Sequence, residues 1–132
     1  MSSFRARDAT IYRPYPDEIP WDLLALADPD DARVASYADA DFMRVAKHEG
    51  EVVGAYVVER RSATCFALRN LVVAPAYRRH RLGAWLLGHA IGLAESKGAR
   101  EIVVPGAAPR GLFTRVGFVA EPGQLRLRLT PE

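Results

Sequence analysis

A single cysteine, Cys65, stands in a chain of 132 residues, so neither an internal disulfide nor a multi-cysteine zinc site can be built from it. That usage fits a reducing cytoplasm, and Cys65 itself, within an apolar strand, reads as a small buried hydrophobe. The three histidines, His48, His80 and His89, show no metal-ligand spacing with a carboxylate, and no metal is expected. Apolar runs are all too short to cross a bilayer, and the opening stretch MSSFRARDATIYRP has no apolar core of signal-peptide length. Net charge is almost absent too: +2, from 18 Lys and Arg against 16 Asp and Glu, argues for neither nucleic acid nor a membrane surface. There is no internal repeat, low-complexity tract or linker. Residues 1–132 therefore read as one domain with a core of its own, of which 1–9 are either an ordered extension or a frayed end.

What is present gathers between Leu71 and Lys97, LVVAPAYRRHRLGAWLLGHAIGLAESK. A short β-branched run stops at Pro75, a basic loop with one glycine follows, and a helix begins. A buried strand that feeds a helix through a tight loop leaves several backbone N–H groups unpaired and pointing one way. Arg78, Arg79, His80 and Arg81 fall where those groups point, which suits a phosphate-bearing ligand. The competing reading is a solvated basic turn, and the glycine and helix that follow disfavour it.

The rest of the chain falls into order around this segment. Thr10–Arg13 reads as a strand, Ile19–Ala27 as a short helix with Pro20 in its first turn, and a second helix runs to about Tyr37 behind Asp28, Asp30 and Asp31, whose negative charge suits its entrance. Strands Phe42–Lys47 and Val52–Glu59 form a hairpin across His48-Glu49-Gly50-Glu51, with the glycine available for a positive φ, and Thr64–Val73 completes an antiparallel meander. Gly83–Lys97 is the main helix, with Leu87, Ala90, Ile91 and Ala94 on one stripe. Glu101–Val104 should return parallel to the preceding strand, Pro109–Val116 reads as a helix, and Phe118–Glu121 with Gln124–Leu129 closes the sheet. The fold class is α/β, β-α-α-β-β-β-α-β-α-β-β, a mixed, mostly antiparallel sheet with helices on its faces. Gly88 and Gly92 are expected to allow close approach to the sheet or a partner, Trp21 and Trp85 to pack in the core or an interface, and His89 to be structural or exposed.

The segment VVAPAYRRHRLGAWLL resembles the acyl-CoA-binding motif Gln/Arg-x-x-Gly-x-Gly/Ala of the GNAT superfamily of N-acetyltransferases. The later GLFTRVGF is similar to that family's last helix, with an aromatic, here Phe113, ahead of a Gly-Phe pair. Element order matches from Thr10 to Leu129, and IPWDLLALADP looks like the opening of small bacterial members. The resemblance implies acetyl-CoA as cosubstrate and a primary amine, on a small molecule or a protein, as acceptor. Arg78 and Gly83 match the first and last motif positions, whereas Arg81 stands where the family usually has its first glycine. By likeness, the stretch Arg78, Arg79, His80, Arg81, Leu82, Gly83 and Ala84 would hold the pyrophosphate. The main chain of Leu71, Val72 and Val73 would carry the pantetheine arm, with the Leu71 N–H facing the acetyl carbonyl and Phe113 lining the thiol exit.

Acid and base are less plain. Many relatives place a proton-donating tyrosine where this chain has Phe113, and some keep a glutamate on the strand where it has Ala67, Arg69 and Asn70. Glu59, Tyr56 or a chain of waters remain as bases, with Glu59 put forward. The acceptor is expected to be gripped by the first two helices and the final hairpin. A catalytically silent acyl-CoA-binding module that regulates a partner protein is the alternative, and a nucleic-acid binder the least supported reading. A homodimer stays open.

Overall fold

Alternating apolar residues in the middle of the chain, with turn residues between them, dictate hairpins rather than helices. A computed structural model describes residues 4–38, 42–106 and 110–129. Its elements are β1 (Thr10–Tyr12), α1 (Trp21–Ala27), α2 (Asp31–Tyr37), β2 (Phe42–His48), β3 (Glu51–Arg60), β4 (Cys65–Val73), α3 (Leu82–Ser96), β5 (Glu101–Pro105), α4 (Arg110–Val116), β6 (Val119–Glu121) and β7 (Gln124–Arg128). This is the order expected from the sequence; the Pro109 start proposed for the last helix lies outside the described residues. One sheet contains all seven strands in the order β1-β2-β3-β4-β5-β7-β6, antiparallel except for the β4–β5 pair. The β2–β3 turn carries positive φ at both Glu49 and Gly50, the geometry that matches strand twist in a two-residue hairpin.

Each face of the sheet has its own core. Leu82, Leu86, Leu87, Ala90 and Ala94 of α3 pack with Phe113 of α4 against Tyr56, Val58, Phe66 and Leu68. On the other face, Leu24 of α1 and Val34 and Tyr37 of α2 pack on Met43, Val45, Ala55, Val57 and Val72. The stripe read from the sequence was therefore correct but narrower than the face that is buried.

The close approach between α3 and the sheet is made by Gly54, not by the helix glycines. A Cβ on Gly54 would lie 2.7 Å from Leu86 Cδ1 and 3.1 Å from the Val72 carbonyl oxygen, whereas at Gly88 and Gly92 it would meet nothing within 4 Å. Leu86 can swing away but the Val72 carbonyl belongs to the sheet, so Gly54→Ala is expected to destabilise by about 1–3 kcal/mol. A urea midpoint unchanged from the parent protein would refute this. Trp21 and Trp85 are about half exposed, at 49% and 46%, rather than core. No helix among the described residues is long and apolar enough to cross a membrane.

Candidate functional site

Three features of β4 create the site. The first is a bulge. Val57 of β3 pairs with Asn70 and Val58 with Leu68, so Arg69 is an extra residue in β4. An extra residue bends the strand and breaks its alternation. Phe66 and Leu68 before the bulge, and Leu71 and Val73 after it, join the α3 core, while Val72 belongs to the opposite core. Arg69 and Asn70 consequently share the α1–α2 face, where one stacks on the Tyr37 ring and the other bonds its hydroxyl.

The second feature is the parting of β4 from β5. Their pairing ends at Ala67–Val103, yet β4 runs on to Val73, while β5 stops at Pro105, which has no N–H to offer. Ala74 donates its N–H to the Val53 carbonyl, which fixes the register of the ladder. In an antiparallel pair only alternate residues exchange hydrogen bonds with the partner, so Leu71 and Val73 turn their N–H and C=O groups away from β3, toward the space β5 has vacated. The Val73 carbonyl accepts a bond from Arg78 Nε at 3.1 Å.

The third feature is the loop into α3. Arg79 and Arg81 both have positive φ, at 69° and 62°, and Arg81 is the residue that caps α3. Arg81 thus takes the left-handed conformation that glycine usually supplies, at roughly 1–2 kcal/mol for a residue with a Cβ. The tight turn is kept although the glycine is missing. Among the described residues no side chain caps the helix, and its first turn has no acidic residue, so the N–H groups of Leu82, Gly83 and Ala84 face outward beside the exposed Arg79, His80 and Arg81. A Cβ on Gly83 would make only ordinary contacts, 3.6 Å from Leu112 Cδ2 and 3.9 Å from Val73 Cγ2. Phe4 steadies the loop from the chain's other end, with its ring edge-on to Tyr77 at 4.9 Å and to His80 at 5.6 Å.

A cavity of about 460 Å³ opens in the gap beside the exposed edge of β4 and is lined from both faces of the sheet. Its walls include Asp28 and Arg33, Arg69 to Leu71, the end of β5 from Val104 to Gly106, and Phe113. The helices named in the sequence reading do border it, through the α1–α2 connection; no residue of the β6–β7 hairpin lines it. Phe113 is 7% exposed and meets Phe118 edge-on, so it supplies an apolar wall.

One hydrogen-bonded network holds α1 and α2 over this cavity, and nothing in the sequence reading anticipated it. Asp28 accepts from Arg33 Nη2 at 2.6 Å and Nε at 2.9 Å, from the Tyr37 hydroxyl at 2.8 Å, and from the Asp30 N–H at 3.3 Å. Arg33, followed by the Tyr37 hydroxyl and the Asp30 N–H, outweighs burial and draws the Asp28 carboxyl from the usual 3.8 down to about 2. Burial above all pushes the Tyr37 phenol up to about 12, so it remains a donor. Asn70, 5% exposed, donates to the Leu24 carbonyl and to the Tyr37 oxygen, both at 3.1 Å. Two adjacent polar residues inside an apolar strand, Arg69-Asn70, were the one sequence sign of the bulge that makes this possible.

The candidate bases are placed apart from one another. Glu59 pairs with Arg69 Nη1 at 2.9 Å and does not line the cavity. Tyr56 is fully buried on the α3 face, where its hydroxyl meets His89 Nδ1 at 2.6 Å. Burial raises that phenol well above the ordinary tyrosine range, while burial and then Arg44 lower His89. His89 was expected to be structural or exposed, and it is an exposed residue of α3 that bonds the buried Tyr56.

No curated protein matches the sequence. Solved structures resemble this one over nearly the whole chain. A GNAT family acetyltransferase from Elizabethkingia anophelis with acetyl-CoA bound superposes with a TM-score of 0.81 at 24% identity, covering 92% of this chain and 99% of that one. An IAA acetyltransferase from Bacillus cereus gives 0.76 at 27% identity, over 89% and 96% of the two chains. An acetyltransferase from Bacillus subtilis in complex with CoA gives 0.75 at 22% identity, over 92% and 98%. The model of the acetyltransferase (GNAT) family matches residues 5–118, taking in the bulged strand, the basic loop and Phe113, and the chain belongs to that family.

Proposed function

We propose that the protein transfers an acetyl group from acetyl-CoA directly to a primary amine. The observation that carries this reading is the pair of main-chain donors at Leu71 and Val73, turned from β3 into a space that no described strand fills. Pantetheine is amide-rich and can complete a strand edge of this kind, while diphosphate suits the uncapped start of α3 with Arg78, Arg79, His80 and Arg81 around it. Relatives held with acetyl-CoA or CoA support the same cosubstrate.

Acetyl-CoA supplies the thioester; the chain's own groups position it and stabilise charge. As the amine attacks, negative charge gathers on the carbonyl oxygen, and the Leu71 N–H is placed to receive it. The C–N bond forms, the C–S bond breaks, the amine gives up its proton to water, and the thiolate is protonated from solvent, because Phe113 has no phenol to offer. Glu59 acts at one remove, by holding Arg69. Phe113 also motivates the second reading, a silent acyl-CoA-binding module. Turnover of any amine, measured as thiol release that depends on the amine, removes that second reading.

Binding is tested first. Acetyl-CoA at ten times its Kd should stabilise the fold by about 1.4 kcal/mol and raise Tm accordingly. Gly83→Ala should keep the shift, since its Cβ fits, and Gly83→Trp should lose it. No shift in the parent protein at saturating acetyl-CoA would end the proposal.

A further inference from the structure

We infer that the acceptor amine carries a carboxylate, read by Arg69 on the wall of the acceptor cavity. This rests on the acetyl-transfer reading and adds the chemical class of its second substrate. Among the described charged groups that line the cavity, Asp28, Arg33 and Arg69, two neutralise each other. Both Asp28 oxygens are occupied by Arg33, Tyr37 and the Asp30 N–H, and Arg33 commits Nε and Nη2 to Asp28 and sets Nη1 3.5 Å from Asp30. A second ammonium on the acceptor, as in a polyamine or a lysine-rich peptide, therefore finds no uncommitted carboxylate on the described wall.

Arg69 is different. Glu59 takes a single bond from its Nη1, and among the described residues its Nε and Nη2 have no hydrogen-bond partner. Its guanidinium lies 4.8 Å over the Tyr37 ring, and its side chain is 20% exposed. A planar cation fixed on both sides, with one N–H edge left over, matches the two coplanar oxygens of a carboxylate better than a phosphate, which favours a denser cluster of cations. Preorganisation on the ring and on Glu59 means that little side-chain freedom is lost when the ligand arrives.

The neighbouring residue adds an independent mark. Asn70 gives its amide N–H groups to two oxygens, one of them a carbonyl that can only accept, so the orientation of its amide is fixed. Its Oδ1 is then a buried acceptor with no partner among the described residues. Buried orphans are uncommon, and this one belongs to a residue of the same wall, between Arg69 and Leu71. Carboxylate at Arg69 and thioester oxygen at the Leu71 N–H then lie two residues apart on one strand, because the bulge puts Arg69 on the cavity wall beside Asn70.

The test compares the common α-, β- and γ-amino acids with their carboxamides, which keep shape and lose charge. Initial rates with acetyl-CoA are measured for each pair, and calorimetric titrations of the CoA-saturated protein with the N-acetylated pairs give binding directly. At least one carboxylate should exceed its amide by about tenfold or more, the scale of a hydrogen bond to a charged group. Arg69→Gln should bring that ratio to about one while acetyl-CoA still raises Tm; Arg69→Lys should restore part of it, and Glu59→Gln should preserve it. A merely structural Arg69 would leave the ratio unchanged. Amides equal to or better than acids, or no binding by either member of any pair to a protein that does bind CoA, overturns the inference alone. Failure to bind acetyl-CoA overturns the acetyl-transfer reading instead.

Discussion

Leu71→Pro is expected to lower kcat by about 10²–10³, the effect of deleting one preorganised donor to a developing oxyanion, while acetyl-CoA still raises Tm. Proline in the middle of a sheet normally removes a ladder bond and is confined to edges. Leu71 is an exception within β4 because its N–H is not engaged by β3, and β5 has already left. The side chain does pack against the α3 core, so the substitution also removes apolar contact. Leu71→Ala separates the two effects: it gives up similar packing, keeps the N–H, and should retain most of the rate. Val72→Pro, one residue on, breaks a bond to β3 and should cost the fold rather than the chemistry. A Leu71→Pro enzyme within a few-fold of Leu71→Ala would show that the main chain at this position does not touch the reacting oxygen.

Asp28→Asn should be the most destabilising of the conservative polar substitutions, by about 2–4 kcal/mol in urea unfolding. Breaking a buried ion pair typically costs 3–5 kcal/mol, and the half-exposed Arg33 moderates that here because water can reach it once it is freed. The carboxylate is 10% exposed and makes four contacts, which an amide cannot reproduce because its NH₂ would face donors. Acid should show the same link. The native carboxyl titrates near 2 and the unfolded one near 3.8, so unfolding takes up a proton between these values. The contribution is complete above about pH 4 and is lost as pH falls through about 2, amounting to roughly 2 kcal/mol. Asp28→Asn should flatten that part of the stability curve; an acid limb that survives unchanged would assign it to other carboxylates.

How much of this could be seen in the residues themselves follows from the range of the forces involved. The main helix announces itself through Leu87, Ala90 and Ala94, and the Glu49-Gly50 turn through local dihedral demands, because both are settled within a few positions. The likeness of Arg78 to Gly83 to a phosphate-binding motif was equally local. The cavity wall was not legible, since Asp28, Tyr37 and Asn70 meet across separations of 9 and 33 residues and only the finished fold brings them together. Asp28 had been read as one of several charges at a helix entrance. Arg69 and Asn70 had been noted only for not being glutamate. Gly88 and Gly92 show the converse: a local pattern allowed contact with the sheet or a partner, and tertiary packing kept both glycines clear of the sheet.

The surplus residue in β4 also sets apart two kinds of genetic change. Substituting Arg69 edits one wall of a chamber and leaves the phase of the strand alone. Deleting it would rejoin the two halves of the strand in step, with Leu68 still facing Val58 and Asn70 still facing Val57, so that Leu71 and Val73 keep their amides turned from β3. A codon lost at a paired position such as Leu71 would instead slip everything downstream by one residue and turn it to the opposite face. That loss should silence the protein far more thoroughly than any single codon changed.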